Sequence, residues 1–244
     1  MLTLNKGRYR ARLADTPGDI RAAQRLRHRC FRGGEGLDRD RFDELCQHVL
    51  VESPESRDLF ACFRLLPIRF GVQLDGCYSA QHYDLAALAS YPGNMVEMGR
   101  FCIAPGPPDP DILRVAWGAL TAYVDQNRVD LLFGCSSFPG VDAKDHAGAF
   151  SYLTGRHLAP ECWRPGIRAA DIVRFDHDAV GDQTDFRLAI KILPPLLRSY
   201  LAMGGWVGDH AVIDGDLNTM HVFTGLEIAK IPAARARLLR AISA

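Results

Sequence analysis

No run of the 244 residues approaches the roughly 20 consecutive apolar positions that would span a bilayer. Net charge is also missing: 29 Lys and Arg balance 29 Asp and Glu, so bulk electrostatics selects no strongly charged partner and gives no sign of nucleic-acid binding. The seven cysteines, at 30, 46, 62, 77, 102, 135 and 162, include no C-x-x-C pair and make an odd total. That excludes a disulfide framework of the secreted kind and leads to the expectation of reduced thiols in a cytoplasm. Histidines and cysteines lack metal-site spacing, so no metal is expected. The opening MLTLNKGRYRARLADTPGD has no apolar core of a signal peptide, and there is no internal repeat or low-complexity tract. What remains, at 48% hydrophobic and 24% charged residues, is ordinary globular composition, expected to form one large domain or a domain with an elaborated end.

Along the chain, Arg8 to Leu13 alternates as a first strand would. Thr16-Pro17-Gly18-Asp19 reads as a turn ending in a capping residue. Ile20, Ala23, Leu26 and Cys30 then fall at helical spacing through about Arg32. The other face of this helix is basic, with Arg21, Arg25, Arg27, His28, Arg29 and Arg32, and Gly33-Gly34-Glu35-Gly36 ends it. An acidic and polar segment runs from Asp38 to Glu44, followed by strands over His48 to Val51 and Leu59 to Leu66. Asp84 to Ser90 reads as a short helix, Ile112 to Tyr123 as a longer one, Val129 to Cys135 as a strand opening into Ser136-Ser137-Phe138-Pro139-Gly140. Ala147 to Leu153 looks helical and Ala169 to Phe175 extended. Composition shifts near Gly181 to Thr184, which suggests a core over 1–180 and a C-terminal extension over 181–244. In that extension Phe186 to Met203 has helical spacing, restarted at Pro194-Pro195. Ala211 to Ile213 and Val222-Phe223 are short strand candidates, and the basic tail from Lys230 is helical. The mixed order points to an α/β fold, a central sheet with helices on its faces.

One strand stands out, Met95 to Ile103, because Glu97 and Arg100 are set among apolar residues. A buried acid and arginine are costly unless they pair or do work. The structural reading is an ion pair across a bulge at Gly99; the functional reading is a reaction centre.

Three pieces taken together decide between them: Arg27 with Phe31, followed by Asp40, Phe42 and Asp43; Phe63-Arg64-Leu65-Leu66-Pro67; and Glu97-x-x-Arg100-Phe101. In that order they resemble the acyl-carrier-protein-dependent amine acyltransferases of the GNAT superfamily, the acyl-homoserine lactone synthases among them. The chain departs from those synthases where they carry a tryptophan after the first phenylalanine; here the stretch is Gly34-Glu35-Gly36-Leu37. The second half, with Ser136-Ser137-Phe138-Pro139-Gly140-x-Asp142, His146, Leu193-Pro194-Pro195-Leu196-Leu197 and Asp214-x-Asp216-x-Asn218, resembles the ornithine N-alpha-acyltransferases. The resemblance spans roughly residues 20 to 228. It implies a GNAT-like fold whose central strands splay apart, with a 3-hydroxyacyl group moved from acyl carrier protein to the ornithine α-amine, giving lyso-ornithine lipid. Ala104-Pro105-Gly106-Pro107-Pro108-Asp109-Pro110 agrees, since its prolines remove the N–H donors with which CoA-binding relatives cradle a pyrophosphate. No bound cofactor is expected; the donor's phosphopantetheine arm belongs to the carrier.

Acyl transfer to an amine needs a base for the ammonium and polarisation of the thioester carbonyl. Glu97 is the candidate base, Arg100 orients it or holds the acceptor carboxylate, and His146 is an alternative base or a packed polar residue. Asp40 and Asp43 are candidates for receiving a cationic acceptor or for helix capping, with Arg64 as their partner on the sheet. Arg27, Phe31, Phe101, Ser136, Ser137, Phe138 and Asp142 complete the expected substrate-binding set. The basic helix face and the basic tail are expected to meet the acidic carrier protein, or instead the inner membrane as a peripheral contact. An autoinducer synthase, another amino-acid acceptor such as glycine, lysine or glutamine, and a non-catalytic carrier-binding protein are the alternatives.

Overall fold

The computed structural model describes residues 2–68, 74–175 and 186–243. In chain order the elements are β1 (Thr3–Lys6), β2 (Tyr9–Leu13), α1 (Pro17–Phe31), β3 (Gln47–Glu52), β4 (Leu59–Ile68), β5 (Tyr83–Asp84) and β6 (Met95–Ile103). There follow α2 (Pro110–Asn127), β7 (Leu131–Pro139), α3 (Ala147–Arg156), β8 (Gly166–Ile167), β9 (Ile172–Arg174), α4 (Phe186–Ile192), α5 (Pro195–Ala202), β10 (Trp206–Asp214), β11 (Thr219–Glu227) and α6 (Ala233–Ser243). The chain divides into two compact units, one of residues 1–67, 96–129 and 232–244, the other of 68–95 and 130–231.

In the first unit the strand order is β1-β2-β3-β4-β6, with β1 to β4 joined antiparallel. The first strand, β1, precedes the one legible in the sequence: its Thr3–Lys6 is too short to show a period, yet it pairs with Tyr9–Arg12 through a tight turn at Gly7. Helix α1 begins as its residues require. Thr16 accepts from the Asp19 N–H at 3.1 Å, Asp19 accepts from the Thr16 N–H at 3.2 Å, and Pro17 fills the first helical position. It stops before Gly33 and Gly34, both in the left-handed region that a side chain disfavours. The apolar stripe of α1 packs Ala23 and Leu26 against Leu50, Cys62 and Cys102 of the sheet.

Helix α2 is capped by Asp109 and buries Ile112, Val115, Ala116, Ala119, Leu120 and Tyr123. Gly118 lets α6 approach it, for a Cβ there would meet Ile242 and Leu4. The basic tail is partly engaged in this packing, with Arg240 paired to Asp125 at 2.9 Å.

In the second unit the order is β7-β11-β10-β9, all antiparallel, with β5 and β8 forming a separate pair. Phe138, Phe150, Leu153, Leu193, Leu197, Val207 and Val222 fill its core between sheet and helices. Two expectations change here. Strand β7 runs on through Ser136 to Pro139, paired with Val222 to Thr219, where an opening was expected. The two short strand candidates are nine-residue strands forming one hairpin, β10 and β11. Buried polar residues, His210, His221 and Thr224, interrupt the apolar alternation that would have marked their length. The short helix expected over Asp84 to Ser90 is a 3-10 helix, Ala86–Ser90, with Asp84 closing strand β5. The boundary expected at Gly181 to Thr184 lies outside the described residues. Among the described residues no helix is long and apolar enough to cross a membrane.

Candidate active site

In the first unit three arginines and three aspartates interlock beneath α1. Arg27, fully buried on the inner face of α1, reaches Asp38 Oδ2 at 3.0 Å through Nε and Asp43 Oδ1 at 2.8 Å through Nη2, and donates to the Asp38 carbonyl. The helix therefore turns Arg27 inward, away from the basic face expected for it; Arg21, Arg25, Arg29 and Arg32 are the exposed ones. Gln24, one turn earlier, donates to Asp43 Oδ2 at 2.9 Å. Arg64 on β4 clasps Asp40 through two nitrogens, at 2.5 and 3.1 Å, and reaches Asp43 Oδ1 at 3.0 Å. Arg100 on β6 donates to Asp38 Oδ2 at 3.2 Å, lies 3.5 Å from Asp40 Oδ2, and rests over the Phe31 ring at 5.9 Å.

The acids are presented by a short loop with its own logic. Asp40 caps the 3-10 turn Arg41–Glu44 by accepting from the Phe42 N–H at 2.9 Å. Asp43, two residues inside that turn, points back toward Arg27 and Arg64. Capping and ion pairing are thus the same arrangement: the turn that Asp40 caps carries Asp43 into the cluster. His48 Nε2 meets the Asp43 carbonyl at 3.0 Å.

Charge balance sets the protonation. Burial raises the Asp40 carboxyl, but the Arg64 hydrogen bond and the Arg64 and Arg100 charges outweigh it and hold Asp40 below its usual value. Burial likewise opposes, and Arg27, Gln24 and Arg64 overcome it, to hold Asp43 low. Burial lowers His48, keeping its imidazole neutral at physiological pH. The Cys46 thiol is pushed up to about 12 by burial, with Glu97, Asp40 and Asp43 adding to it against Arg64. Glu97 and the two aspartates thus all bear on this one thiol.

The strand that bears Glu97 is irregular. Glu97 is buried, and Arg100, not the glycine before it, takes the left-handed conformation at φ 52°. An L-residue there costs about 1–2 kcal/mol. The break expected at Gly99 is displaced by one residue, and it turns the Arg100 side chain toward Asp38 and Asp40. Phe101 stacks on Phe63, centroids 5.6 Å apart.

The structure thus brings together Arg27, Phe31, Asp40, Asp43, Arg64 and Arg100, six residues expected from sequence. Asp38, Gln24 and His48 were missed. Asp38 lies in an irregular loop with no period, and only its position ahead of the Asp40–Asp43 pair marks it.

Glu97 and Phe101 lie in the first unit as well, whereas Ser136, Ser137, Phe138, Asp142 and His146 belong to the second. Phe138 is core, packed on Phe150 and the His146 ring. His146 is buried and meets the Pro139 carbonyl at 2.8 Å through Nε2; its side chain caps nothing. Asp142 is exposed and caps the turn Ala143–His146 by accepting from the Lys144 N–H at 2.9 Å. Ser136 is buried and accepts from Thr224 at 2.9 Å, whereas Ser137 is exposed and lies opposite His221. That opposite position introduces a group with no sequence signal. Tyr83 OH donates to the His221 carbonyl at 2.7 Å and lies 3.1 Å from its Nδ1, and the Tyr83 and His210 rings are 5.1 Å apart.

Residues 26–117 match the family model of an acetyltransferase (GNAT) domain. The chain is 34% identical to an L-ornithine N(alpha)-acyltransferase of Rhodobacter capsulatus, with 88% of each sequence covered. It is 32% identical to an L-ornithine N(alpha)-acyltransferase of Brucella abortus, covering 92% of this chain and 86% of the other. FeeM, an N-acyl amino acid synthase from uncultured soil microbes, is similar at 14% identity with a TM-score of 0.48, over 91% of this chain and 92% of that one.

Proposed function

We propose, since the chain belongs to the L-ornithine N(alpha)-acyltransferase family and carries a GNAT domain, that it moves a 3-hydroxyacyl group from the phosphopantetheine of acyl carrier protein to the α-amine of ornithine. The product is lyso-ornithine lipid. The work is done in the cytoplasm, with the inner membrane as the place where an amphipathic product is delivered.

The observation that supports this reading is the charge count beside Glu97. Arg27, Arg64 and Arg100 balance Asp38, Asp40 and Asp43, so Glu97 as a carboxylate leaves one net negative charge. Ornithine, with two ammonium groups and one carboxylate, carries one positive charge. Asp38 and Asp43 are spent on arginines inside the cluster, whereas the Asp40 side chain keeps 23% of its surface open and is the acid placed to receive an ammonium. Arg100, paired with Asp38 and Asp40, is the cation we assign to the acceptor carboxylate.

The chemistry follows in order. Glu97 takes a proton from the α-ammonium, directly or through a water. The freed amine attacks the thioester carbonyl carbon, forming the C–N bond. Collapse breaks the C–S bond, and the departing sulfur is protonated to the carrier's thiol. The second proton shed by the nitrogen is the one the sulfur takes up, and Glu97 returns the first to solvent, so amide, thiol and one released proton are the products.

The test offers purified protein 3-hydroxyacyl carrier protein with ornithine, lysine, glycine or glutamine, and measures free thiol together with the acylated amino acid by mass spectrometry. N-acylornithine in step with thiol release is expected. Thiol release without it, or a lactone formed from S-adenosylmethionine, overturns the assignment.

A further inference from the structure

Three of the seven cysteines gather beside the acid–arginine cluster, and nothing in acyl transfer uses them. Cys62 on β4 and Cys102 on β6 face each other with sulfurs 3.6 Å apart, both buried under α1. Cys30, in the last turn of α1, packs against the cluster that holds them and donates to the Ile103 carbonyl at 3.3 Å. Cys30 is the only one of the three that reaches solvent.

We propose that these thiols form an oxidation site, in which a peroxide entering at Cys30 is converted into a disulfide between Cys62 and Cys102. Three features carry it. The first is access: Cys30 opens outward while Cys62 and Cys102 do not, so oxidant must enter there. Second, reach: sulfurs in contact at 3.6 Å on neighbouring strands need little motion to close to the roughly 2.05 Å of a disulfide. The third is reactivity, since the hydrogen bond from Cys102 lowers the Cys30 thiol against the effect of burial, with Arg29 helping, and the thiolate is the form that reacts. Cys102, the donor in that bond, is raised and stays protonated until it acts.

The steps balance. The Cys30 thiolate attacks hydrogen peroxide, forming an S–O bond and expelling hydroxide, which leaves a sulfenic acid. Cys102 attacks that sulfur; the S–O bond breaks and water leaves, giving a Cys30–Cys102 disulfide. Cys62 then attacks the Cys102 sulfur and releases Cys30 as a thiol. In sum two thiols and one peroxide give one disulfide and two waters.

The position gives the bond a consequence. Cys62 is two residues from Arg64 on β4, and Cys102 two from Arg100 on β6. Drawing the strands together there displaces the arginines that hold Asp38 and Asp40, so acceptor binding weakens. This last effect rests on the function proposed above; the thiol chemistry does not.

The experiment treats the intact protein with one equivalent of hydrogen peroxide, blocks remaining thiols with iodoacetamide, and maps peptides by mass spectrometry. A Cys62–Cys102 linkage with Cys30 alkylated, reversed by dithiothreitol, is expected. Cys30→Ser slows its formation about tenfold or more, and Cys62→Ser or Cys62→Ala halts the sequence at Cys30–Cys102. If Cys62 and Cys102 are both recovered alkylated while Cys162 or Cys46 has been consumed, the proposal fails. It fails equally if Cys30→Ser forms the bond as fast as the wild type. An intact linkage with no change in ornithine KM keeps the site and removes only its effect on the acceptor.

Discussion

Arg100 Nε donates to Asp38 Oδ2 at 3.2 Å from a backbone held at φ 52°, so a strained strand residue and a loop acid are tied together at one edge of the proposed acceptor site. Strain of this kind persists where the surroundings fix it, here the Asp38 and Asp40 carboxylates and the Phe31 ring. Replacing Arg100 by Lys keeps the charge and loses the planar fork. The expected result is a fall of about tenfold or more in kcat/KM for ornithine, about 1.4 kcal/mol, with carrier-protein binding unchanged. Steady-state kinetics with each substrate varied in turn checks it.

Arg27 has a different part. It is buried and holds Asp38 and Asp43 at once, so removing it takes a cation from two buried carboxylates and leaves them to Arg100 and Arg64. Arg27→Ala is expected to destabilise the protein by about 3–5 kcal/mol, read as a lower midpoint in urea unfolding. A loss below about 1 kcal/mol would show that the cluster is far more hydrated than its burial indicates.

How much of this was legible in the sequence follows from which signals are periodic. The helices α1 and α2 announced themselves by spacing and caps, and Glu97 and Arg100 by being charged within an apolar strand. The partners of Arg100 did not: Asp38 lies in a loop, and no spacing rule links a loop acid to a strand arginine sixty-two residues on. The inward turn of Arg27 was hidden because a helix face rich in arginine reads as solvated until its neighbours are known. In the second unit the full lengths of β10 and β11 were masked by buried His210, His221 and Thr224, whose polar side chains find partners only in the fold. Tyr83 and His221 meet across 138 residues, a pairing that local pattern cannot carry.

Stability is expected to fall with acid in two stages. His48 has a folded pKa below its unfolded value of about 6.5, so the unfolded chain takes up a proton first, and stability declines as pH drops below about 6.5. Burial also lowers His157, which adds to this stage. Asp40 and Asp43 are held low, so their contribution is complete above about 3.9, the unfolded value, and is lost as pH falls through their folded values. Urea unfolding at a series of pH values from neutral to acid reads both stages, and His48→Leu should flatten the first.

Close packing in the second unit gives an independent check on the β10–β11 hairpin. Gly225 lies opposite Trp206, and a Cβ there would run into the indole ring. Gly225→Ala is expected to cost about 1–3 kcal/mol through displacement of that ring. The readout is a lower melting temperature with a shift in tryptophan fluorescence, which an unstrained hairpin would not give.

The central claim is that Glu97 takes the proton from the ornithine amine. Its most direct test is single-turnover thiol release from 3-hydroxyacyl carrier protein by wild type and by Glu97→Gln at saturating ornithine, across a range of pH. The account predicts that Glu97→Gln loses about a hundredfold or more in rate while still binding donor and ornithine, and that part of the rate returns at high pH, where the amine loses its proton unaided. Wild-type turnover by Glu97→Gln with an unchanged pH profile would contradict it.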